Sequence, residues 1–394
     1  MTTVSIQPSF LDVIRDVKEG SCAEDSFWVN IISSKDLEDG ESREEIINVS
    51  MQGDELSFSN DSGVKFEASK SPLSYKLTID GRSHSLRAPV KTIATGVSDT
   101  SAFDISPNED RYILGHTSGK LTFGYTSADE SNAPVIVQEA HLSSVIKSLF
   151  FPSGKVALTA GLDYQIKIWD VTDGSCPRLF SGHKGRITDL KMVERGRNFI
   201  SSSADGTVKL WDCGSGNNIA TLRRSQSIKD GVTALDIGVG ETSIIQAKST
   251  YEFGTLGKNV YAGHESGVVT IFDLASREES LALPSQRSAV VSLGAVSEEN
   301  TLYVAYEEGT VASWDLRKPT EPLVKVDLEA ELNSMALGSQ SLVVSYNTGF
   351  VVELDKCTLQ SKAVMVGTND GCRLVTGRHN TFYLSGSDDV IYKY

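Results

Sequence analysis

Cysteine is scarce in this sequence, and its placement excludes two kinds of site. The 394 residues contain five cysteines. They are scattered, no two of them form a CxxC pair, and none stands at a spacing from histidine that suits zinc. An odd number of isolated cysteines is not the disulfide framework of a small secreted domain. We therefore expect reduced thiols, a cytoplasmic and nuclear protein, and no bound metal.

Positive charge and long apolar runs are also in short supply. The chain has 37 lysine and arginine residues against 52 aspartate and glutamate residues, which gives a net charge of −15. Nucleic acid and anionic membranes need a concentrated basic surface, so neither is expected as a partner. No apolar run approaches the roughly 20 residues of a membrane span, and residues 1–10 lack the pattern of a signal peptide. The acidic balance favours a protein partner with a basic patch.

Catalytic motifs are missing as well. Gly254–Lys258 has the end of a phosphate-binding loop, but Glu252 stands where its first glycine belongs and Asn259 where serine or threonine belongs. The GxSxG elbow of a hydrolase does not occur in the sequence. The sequence therefore predicts a protein that is not an enzyme and that carries no cofactor.

The feature that the sequence does have is an internal repeat. Trp169-Asp170 recurs as Trp211-Asp212, and Phe272-Asp273 is followed at the same distance by Trp314-Asp315. Related positions continue the series in both directions, and one interval contains an insertion at about 238–258. The equivalent positions of the seven units are 124, 169, 211, 272, 314, 354 and 394. A period of about 40–45 residues with Trp-Asp dipeptides is typical of WD-repeat propellers.

Each unit contains four short strands separated by turns rich in glycine, aspartate and serine. In one unit the predicted strands are Ile187–Met192, Asn198–Ser203, Thr207–Asp212 and Asn218–Leu222. Chance Trp-Asp pairs in a β-sandwich are the alternative, but they do not explain seven equivalent positions. We therefore predict an all-β fold, a seven-bladed WD-repeat β-propeller over residues 89–394.

Two units also carry a set of polar residues suited to a buried hydrogen-bond network. A histidine, a serine or threonine, an aspartate and the tryptophan recur at identical spacings, so that the indole, the hydroxyl and the imidazole satisfy one another. A hydrolase triad is the alternative, but the set occurs twice and ends at an indole. His116 and His264 lie too close to the next tryptophan position to belong to it. The two sets are His141, Thr159, Asp163, Trp169 and His183, Ser201, Asp205, Trp211.

The repeat pattern leaves two parts of the chain to be explained, namely the closure of the last unit and residues 1–88. The last unit stops at its third strand, and an open sheet edge is avoided in proteins. We predict that Val90–Thr95 pairs beside Val390–Tyr394 and closes the ring. Residues 1–88 are predicted to be an accessory α+β or β-rich domain with one helix, Pro8–Lys18. Its predicted strands are Phe27–Ile32, Ile46–Met51, Leu56–Ser59, Val64–Ala68 and Tyr75–Ile79.

Three segments are more specific than the generic turns of WD repeats. They are Phe150-Phe-Pro-Ser-Gly154, Arg195-Gly-Arg-Asn198 and Glu252-Phe-Gly-Thr255. With them, the chain resembles the proteasomal ATPase-associated factor family, most clearly over residues 100–320. The resemblance implies a non-catalytic WD-repeat chaperone. It would bind the C-terminal domain of an ATPase subunit and assist assembly of the base of the proteasome regulatory particle. We expect the free chain to be a monomer.

Propeller topology indicates which residues share a surface. All b–c turns and d–a connections emerge on one side of the ring, here called the b–c face. Arg186, with Lys184, forms a basic spot there, and Tyr306 or Tyr346 is the candidate affinity anchor. The acidic members are Asp230, Glu265, Glu307, Glu308, Glu329, Glu331, Asp388 and Asp389. We interpret this face as an acidic platform for the ATPase domain; the alternative is that hairpin turns are polar in any protein.

Two other functions remain open from the sequence. Trp314-Asp-Leu-Arg317 matches the short WDxR motif of substrate receptors for cullin-type ubiquitin ligases, although Glu308 and Ser313 depart from the surrounding pattern. A scaffold for histone or ribosome assembly would also suit an acidic propeller.

Overall fold

The computed structural model describes residues 2–33, 43–69, 71, 73–127, 133–226, 229–240, 249–368 and 372–394. Within these residues, seven antiparallel four-stranded blades follow one another along the chain. The first strand of each blade contacts the first strand of the next, and the contact between blades seven and one completes the circle. The predicted fold class, an all-β propeller of seven blades, is confirmed.

The strands of each blade, in the order a to d from the channel outwards, have the following bounds. Blade one contains Thr100–Ile105, Arg111–His116, Leu121–Tyr125 and Val135–Val137. Blade two contains Val145–Phe150, Val156–Gly161, Ile166–Asp170 and Arg178–Phe180. Blade three contains Ile187–Val193, Asn198–Ser203, Thr207–Asp212 and Asn218–Arg223. Blade four contains Val232–Val239, Lys258–His264, Val269–Asp273 and Glu278–Leu283.

The remaining blades follow the same order. Blade five contains Val290–Val296, Thr301–Tyr306, Thr310–Asp315 and Val324–Asp327, with a short 3₁₀ helix at Ser297–Glu299. Blade six contains Leu332–Leu337, Ser341–Tyr346, Val351–Asp355 and Ser361–Met365. Blade seven contains Cys372–Arg378, Thr381–Gly386 and Val390–Lys393, and its fourth strand is Lys91–Ala94.

Burial along the strands explains their composition. Every residue of the b strands Asn198–Ser203 and Thr301–Tyr306 is buried, because a neighbouring blade covers each face of the sheet. The d strand Asn218–Arg223 instead alternates between buried and exposed residues, since its outer side faces solvent at the rim. Apolar cores span adjacent blades, so that Leu158 of blade two packs with Phe199 of blade three. Blade-to-blade packing therefore holds the ring together.

The ring is closed by a strand from before the first blade. Lys91–Ala94 pairs antiparallel with Val390–Lys393, in the place where the sequence predicts a closing strand. The backbone N–H of Val90 donates to Lys393 at 2.7 Å, and that of Thr95 donates to Asp389 at the same distance. Ile93 lies in a core that blade seven shares with blade one. The first and last parts of the propeller are thereby joined in one sheet.

The N-terminal residues form a second layer of structure against blade six. One sheet contains Thr2–Ile6, Glu24–Ser33, Arg43–Gln52 and Glu55–Ser59, and the helix Phe10–Lys18 packs on it. Lys65–Ala68, Ser74–Ile79 and Arg82–Arg87 continue the sheet of blade six instead, through a parallel pairing of Leu86 with Val364. The predicted helix and the five predicted strands are present with shifted ends, whereas Thr2–Ile6 and Arg82–Arg87 were not predicted.

A common core makes this attachment tight. Phe10, Phe27 and Tyr75 of the N-terminal part are buried in the same cluster as Val364 and Val366 of blade six. The guanidinium of Arg87 also donates to Glu353 of blade six at 3.0 Å. Hydrogen bonds and apolar packing therefore run across the boundary expected at residue 88, and the N-terminal part extends one blade.

Candidate partner-binding face

Blades two and three each contain a complete chain of buried hydrogen bonds. The indole N–H of Trp169 donates to the Thr159 hydroxyl at 2.8 Å, and that hydroxyl lies 2.7 Å from Nε2 of His141. Nδ1 of His141 lies 3.0 Å from the carboxylate of Asp163. The carboxylate accepts the Nδ1 proton, so Nε2 is left to accept the hydroxyl proton. This series of hydrogen bonds gives partners to the buried indole, hydroxyl and imidazole of blade two.

Blade three repeats the geometry closely. The indole of Trp211 donates to the Ser201 hydroxyl at 2.8 Å, and this hydroxyl lies 2.7 Å from Nε2 of His183. Nδ1 of His183 lies 3.0 Å from Asp205. Thr159 and Ser201 are fully buried, so neither hydroxyl can reach a substrate. The structure brings each set together inside its blade, and the geometry gives no support to a hydrolase triad.

The protonation states agree with this structural role. Burial lowers the pKa of His141 and outweighs the opposing effect of Asp163, so the ring is neutral near pH 7. Burial by itself raises the pKa of Asp163, but His141 and the backbone N–H of Leu142 outweigh it and hold the pKa below its usual range. Burial by itself also raises the pKa of Asp205, but hydrogen bonds from His183 and Thr207 outweigh it and hold the pKa well below its usual range. Both carboxylates are therefore ionised acceptors.

These two carboxylates also fix the loops above them. Asp163 accepts the backbone N–H of Leu142 at 3.1 Å and that of Gln165 at 3.2 Å, which joins a d–a connection to a b–c turn. Asp205 accepts the backbone N–H of Lys184 at 2.8 Å in the same way. The buried network thus reaches the b–c face and orders its backbone there.

His116 and His264 are the two histidines that the spacing excludes from the networks. Each ends a b strand, as predicted, but both rings are buried. Nε2 of His116 lies 3.1 Å from the Thr122 hydroxyl, and Nε2 of His264 lies 3.0 Å from that of Thr270. They form a shorter link between strands b and c.

Five of the eight residues predicted to bind a partner are exposed on the b–c face. Blades four and five contribute a group of carboxylates, blade seven contributes one more, and the basic residue lies before blade three. They are Arg186, Glu265, Glu307, Glu308 and Asp389. The structure therefore presents acidic turns on blades four, five and seven and a basic residue at the entry to blade three, all on this face.

The proposed tyrosine anchors are wrong. Tyr306 has no exposed surface and Tyr346 is 2% exposed, because both end b strands and point between blades. Burial raises the pKa of the Tyr306 hydroxyl, with the neighbouring Trp314 indole opposing the shift, and burial alone raises the pKa of Tyr346. Neither ring can contact a partner without unfolding its blade.

Asp230 and Asp388 are also used within the fold. The Asp230 side chain is only 7% exposed and accepts from the guanidinium of Arg224 at 2.6 Å. It also accepts the backbone N–H of Ser266 at 3.1 Å, which ties the blade-four turn to its entry loop. Asp388 is half-buried and accepts the Tyr392 hydroxyl proton at 2.7 Å. Both residues shape the face and are not free contact points.

Three exposed apolar residues on the same face were not predicted. Leu142 is 86% exposed, Tyr164 is 47% exposed and Leu162 is 38% exposed. Leu142 lies in the d–a connection before blade two, and the other two lie in its b–c turn. The signal was available in the sequence, because the equivalent blade-three residues are Lys184, Ala204 and Gly206.

The central channel, of about 620 Å³, contains charged side chains on the a strands. Asp104 binds Arg378 at 2.6 Å, Asp189 binds Lys147 at 3.0 Å, and Asp236 binds Lys191 at 3.1 Å. Each of these carboxylates also accepts a backbone N–H from the a strand of the next blade, at Phe150, Leu235 and Ala295 respectively. The channel charges therefore join neighbouring blades.

Comparison with known proteins identifies the repeat and the family. The model of the WD domain, G-beta repeat, matches residues 132–170 and 174–212, which include strands a to c of blades two and three. The 26S proteasome regulatory subunit RPN14 of Saccharomyces cerevisiae is 32% identical over 367 residues, covering 90% of this chain and 85% of that protein. The chain belongs to the RPN14 family. The resemblance to proteasomal ATPase-associated factors is thereby confirmed.

Other relatives share a smaller part of the chain. The periodic tryptophan protein 2 homolog of Caenorhabditis elegans is 29% identical over 149 residues, 36% of this chain and 16% of that protein. The F-box/WD repeat-containing protein sel-10 of the same organism is 39% identical over 86 residues, 22% of this chain and 13% of that protein. The similarity to RPN14, in contrast, extends well beyond the two matched repeats and places this chain among WD-repeat factors associated with the proteasome.

Two of the segments that carry the RPN14-family resemblance contact each other on the opposite face. The Asn198 amide donates to the Tyr251 carbonyl at 3.0 Å and accepts the backbone N–H of Phe253 at 2.6 Å. The Arg197 guanidinium lies 3.5 Å from the centre of the Phe253 ring. Glu252 is paired with Arg277. The later part of the insertion is thus docked on blades three and four, while residues 241–248 lie outside the described residues.

In the described part of this RPN14-family chain, the histidine, cysteine, aspartate and glutamate side chains include no group of three or more that could hold a metal ion. Within the same residues, no helix is long and apolar enough to cross a membrane.

Proposed function

We propose that the chain is a non-catalytic assembly chaperone of the proteasome. It binds the C-terminal domain of an ATPase subunit through the b–c face and assists assembly of the regulatory-particle base, in the cytoplasm and the nucleus. Membership of the RPN14 family supports the association with the proteasome. The observation that supports this face in particular is the exposure of Glu265, Glu307, Glu308 and Asp389 on one side of the ring.

The acidic residues suit reversible binding to a basic domain surface. Charges at an exposed rim mainly accelerate association, and salt screens them over about 8 Å at physiological ionic strength. The loops that carry them are already ordered: the backbone N–H of Glu307 donates to Ala289 at 2.8 Å, and that of Glu265 donates to Gly231 at 3.0 Å. A face ordered before binding loses little conformational entropy when the partner docks.

The test is a binding screen against the isolated C-terminal domain of each regulatory-particle ATPase, followed by native-gel analysis of the tagged full chain purified from cells. We expect one or a few of the domains to bind. We also expect free ATPase subunits or base precursors on the gel, without mature holoenzyme. Failure to bind any of the domains, or stable recovery of mature holoenzyme, would contradict the proposal.

The cullin-receptor alternative depends on Trp314–Arg317, of which the first residue is buried in the fold and the Arg317 side chain is 67% exposed. Trp314 is fully buried, and Arg317 donates to both carboxylate oxygens of Asp315, at 2.8 and 2.9 Å. The same purification separates the two functions, because recovery of a cullin adaptor in place of ATPase subunits favours the receptor. Recovery of a basic histone or ribosomal protein in place of ATPase subunits favours an assembly scaffold.

A further inference from the structure

Three exposed apolar side chains lie together at the end of blade two on the b–c face. We call Leu142, Leu162 and Tyr164 the blade-two patch. Leu142, at 86%, has the largest exposed fraction among the large apolar residues described. The two loops that carry the patch are joined, since the backbone N–H of Leu162 donates to Ser144 at 2.9 Å and Asp163 accepts from Leu142. Grouped exposed apolar residues, unlike single ones, mark binding sites.

Blade three provides an internal comparison because it has the same buried network. Its Asp205 accepts backbone N–H groups from Lys184 and Thr207, just as Asp163 accepts them from Leu142 and Gln165. At the positions of the patch, however, blade three has Lys184, Ala204 and Gly206. The same loop architecture therefore forms without exposed apolar residues, and folding does not require them in blade two.

Tyr164 departs most from its counterparts. It has a φ of +63°, in the left-handed region that bulky residues rarely adopt. The equivalent residue of five other blades is a glycine, also with a positive φ: Gly119, Gly206, Gly267, Gly309 and Gly349. A tyrosine here adds backbone strain and leaves an aromatic ring 47% exposed. This outlier indicates a role in binding, because a glycine at this position would fold with less backbone strain.

The charges around the patch indicate what kind of surface it contacts. Lys184 and Arg186 are exposed in the next connection along the ring, at the entry to blade three. Glu265 and Glu307 follow on blades four and five. Passing round the b–c face, the surface is thus apolar, then basic, then acidic. A complementary partner presents an apolar side chain, then a carboxylate, then a basic group.

We propose that the blade-two patch is the apolar anchor of the ATPase C-terminal domain on this chain. An apolar side chain of the domain packs against Leu142 and Tyr164, and a neighbouring carboxylate of the domain faces Lys184 and Arg186. This inference rests on the proposed function and adds to it the contact that supplies affinity. The acidic residues increase the association rate, and the patch slows dissociation of the complex, because buried apolar and aromatic anchors dominate interface energies.

The test compares Leu142→Ser and Tyr164→Gly with the native chain in binding to the ATPase C-terminal domain. We expect each variant to bind at least about tenfold more weakly, mostly through faster dissociation. Tyr164→Gly is expected to melt at the same temperature as the native chain or higher, because glycine relieves the left-handed strain. Leu179→Ser is the matched control: Leu179 is 47% exposed on the outer strand of the same blade, and its loss is expected to leave binding unchanged.

Several outcomes would overturn the inference, and each one points to a different error in it. If the native chain binds the domain and both patch variants bind equally well, the anchor is wrong and the proposed function stands. If the native chain binds no ATPase domain, both are wrong. If sedimentation shows a dimer of the native chain that Tyr164→Gly converts to a monomer, the patch serves a second copy of this chain. Equal weakening by Leu179→Ser would also contradict a specific anchor.

Discussion

Thr159 and Ser201 each connect an indole to an imidazole inside a blade, so each hydroxyl satisfies two buried rings. The two hydrogen-bond networks that contain these hydroxyls end in Asp163 and Asp205, which order the loops of the b–c face. Removing one hydroxyl leaves a donor and an acceptor without partners in a site that water does not reach. Single residues of the core thereby affect both stability and the shape of the surface.

Ser201→Ala tests this directly. We expect it to lower the free energy of unfolding by about 1–3 kcal/mol, because the Trp211 N–H and a His183 nitrogen lose their partner while buried. Urea denaturation followed by tryptophan fluorescence measures the change. Thr221→Ala, which removes an exposed hydroxyl that accepts from Lys209, is the control and should cost no more than about 0.5 kcal/mol. Equal effects of the two substitutions would show that the network adds no stability.

Buried neutral histidines predict a dependence of stability on pH. Burial lowers the pKa of His116, His141 and His264, whereas histidine in the unfolded chain titrates near about 6.5. Below that pH the unfolded chain binds more protons than the folded chain. The free energy of unfolding therefore has its full value above about pH 6.5 and falls as the pH is lowered. The lowered pKa values of Asp163 and Asp205 act only below about pH 4.

Urea denaturation at about pH 7.5 and about pH 5.5, on either side of the histidine pKa, measures this dependence. His264→Gln is expected to reduce the difference between the two conditions. His379→Gln is the control, because the His379 side chain is 79% exposed, and it is expected to retain the difference. Equal stability of the native chain at both values would contradict the role of the buried histidines.

At the scale of elements, the ring depends on one strand contributed from outside the last repeat. Lys91–Ala94 completes blade seven, and Ile93 packs with Ile391 and Tyr383 while Thr92 points to solvent. Blade seven also packs on blade one through this cluster. Loss of the strand would expose a sheet edge and separate the two ends of the propeller.

Ile93→Asp should therefore destabilise the whole ring, by about 3 kcal/mol or more, because it buries an unpaired carboxylate at the closure. Thr92→Asp introduces the same group on the exposed side of the same strand and should change stability by no more than about 0.5 kcal/mol. Hydrogen exchange of blades one and seven, with urea denaturation, measures both. Native-like stability of Ile93→Asp would mean that the ring does not depend on this strand.

The sequence allows the c strands, the closing strand and the two networks to be predicted because each depends on residues at fixed spacing. Trp169 and Trp211 set the register, and His141 and His183 follow from it. The anchor role of Tyr306 was wrong because distance from a turn does not say whether a side chain points outwards or between blades. The continuation of blade six by Arg82–Arg87 was missed because it joins segments far apart in the chain, where no local pattern applies.

At the scale of the whole molecule, the acidic residues of the channel and those of the b–c face have different surroundings. In the channel, the carboxylates of Asp104, Asp189 and Asp236 are paired with cations and with backbone N–H groups of the next blade. The carboxylates of Glu265, Glu307 and Glu308 are exposed on the face instead. The carboxylates of the face are therefore accessible to a partner, whereas those of the channel are paired within the ring. We propose the proteasome as the source of that partner because the chain belongs to the RPN14 family.

The most direct test of the acidic platform is the rate at which the chain associates with the ATPase C-terminal domain. We expect the double variant Glu265→Lys/Glu307→Lys to associate at least about tenfold more slowly at low salt, with the difference shrinking as salt is added. Glu44→Lys/Glu55→Lys makes the same change in net charge on the N-terminal part, where both residues are exposed, and should retain the native rate. Native association by the first variant, or equal slowing by both, would contradict a binding face on this side of the propeller.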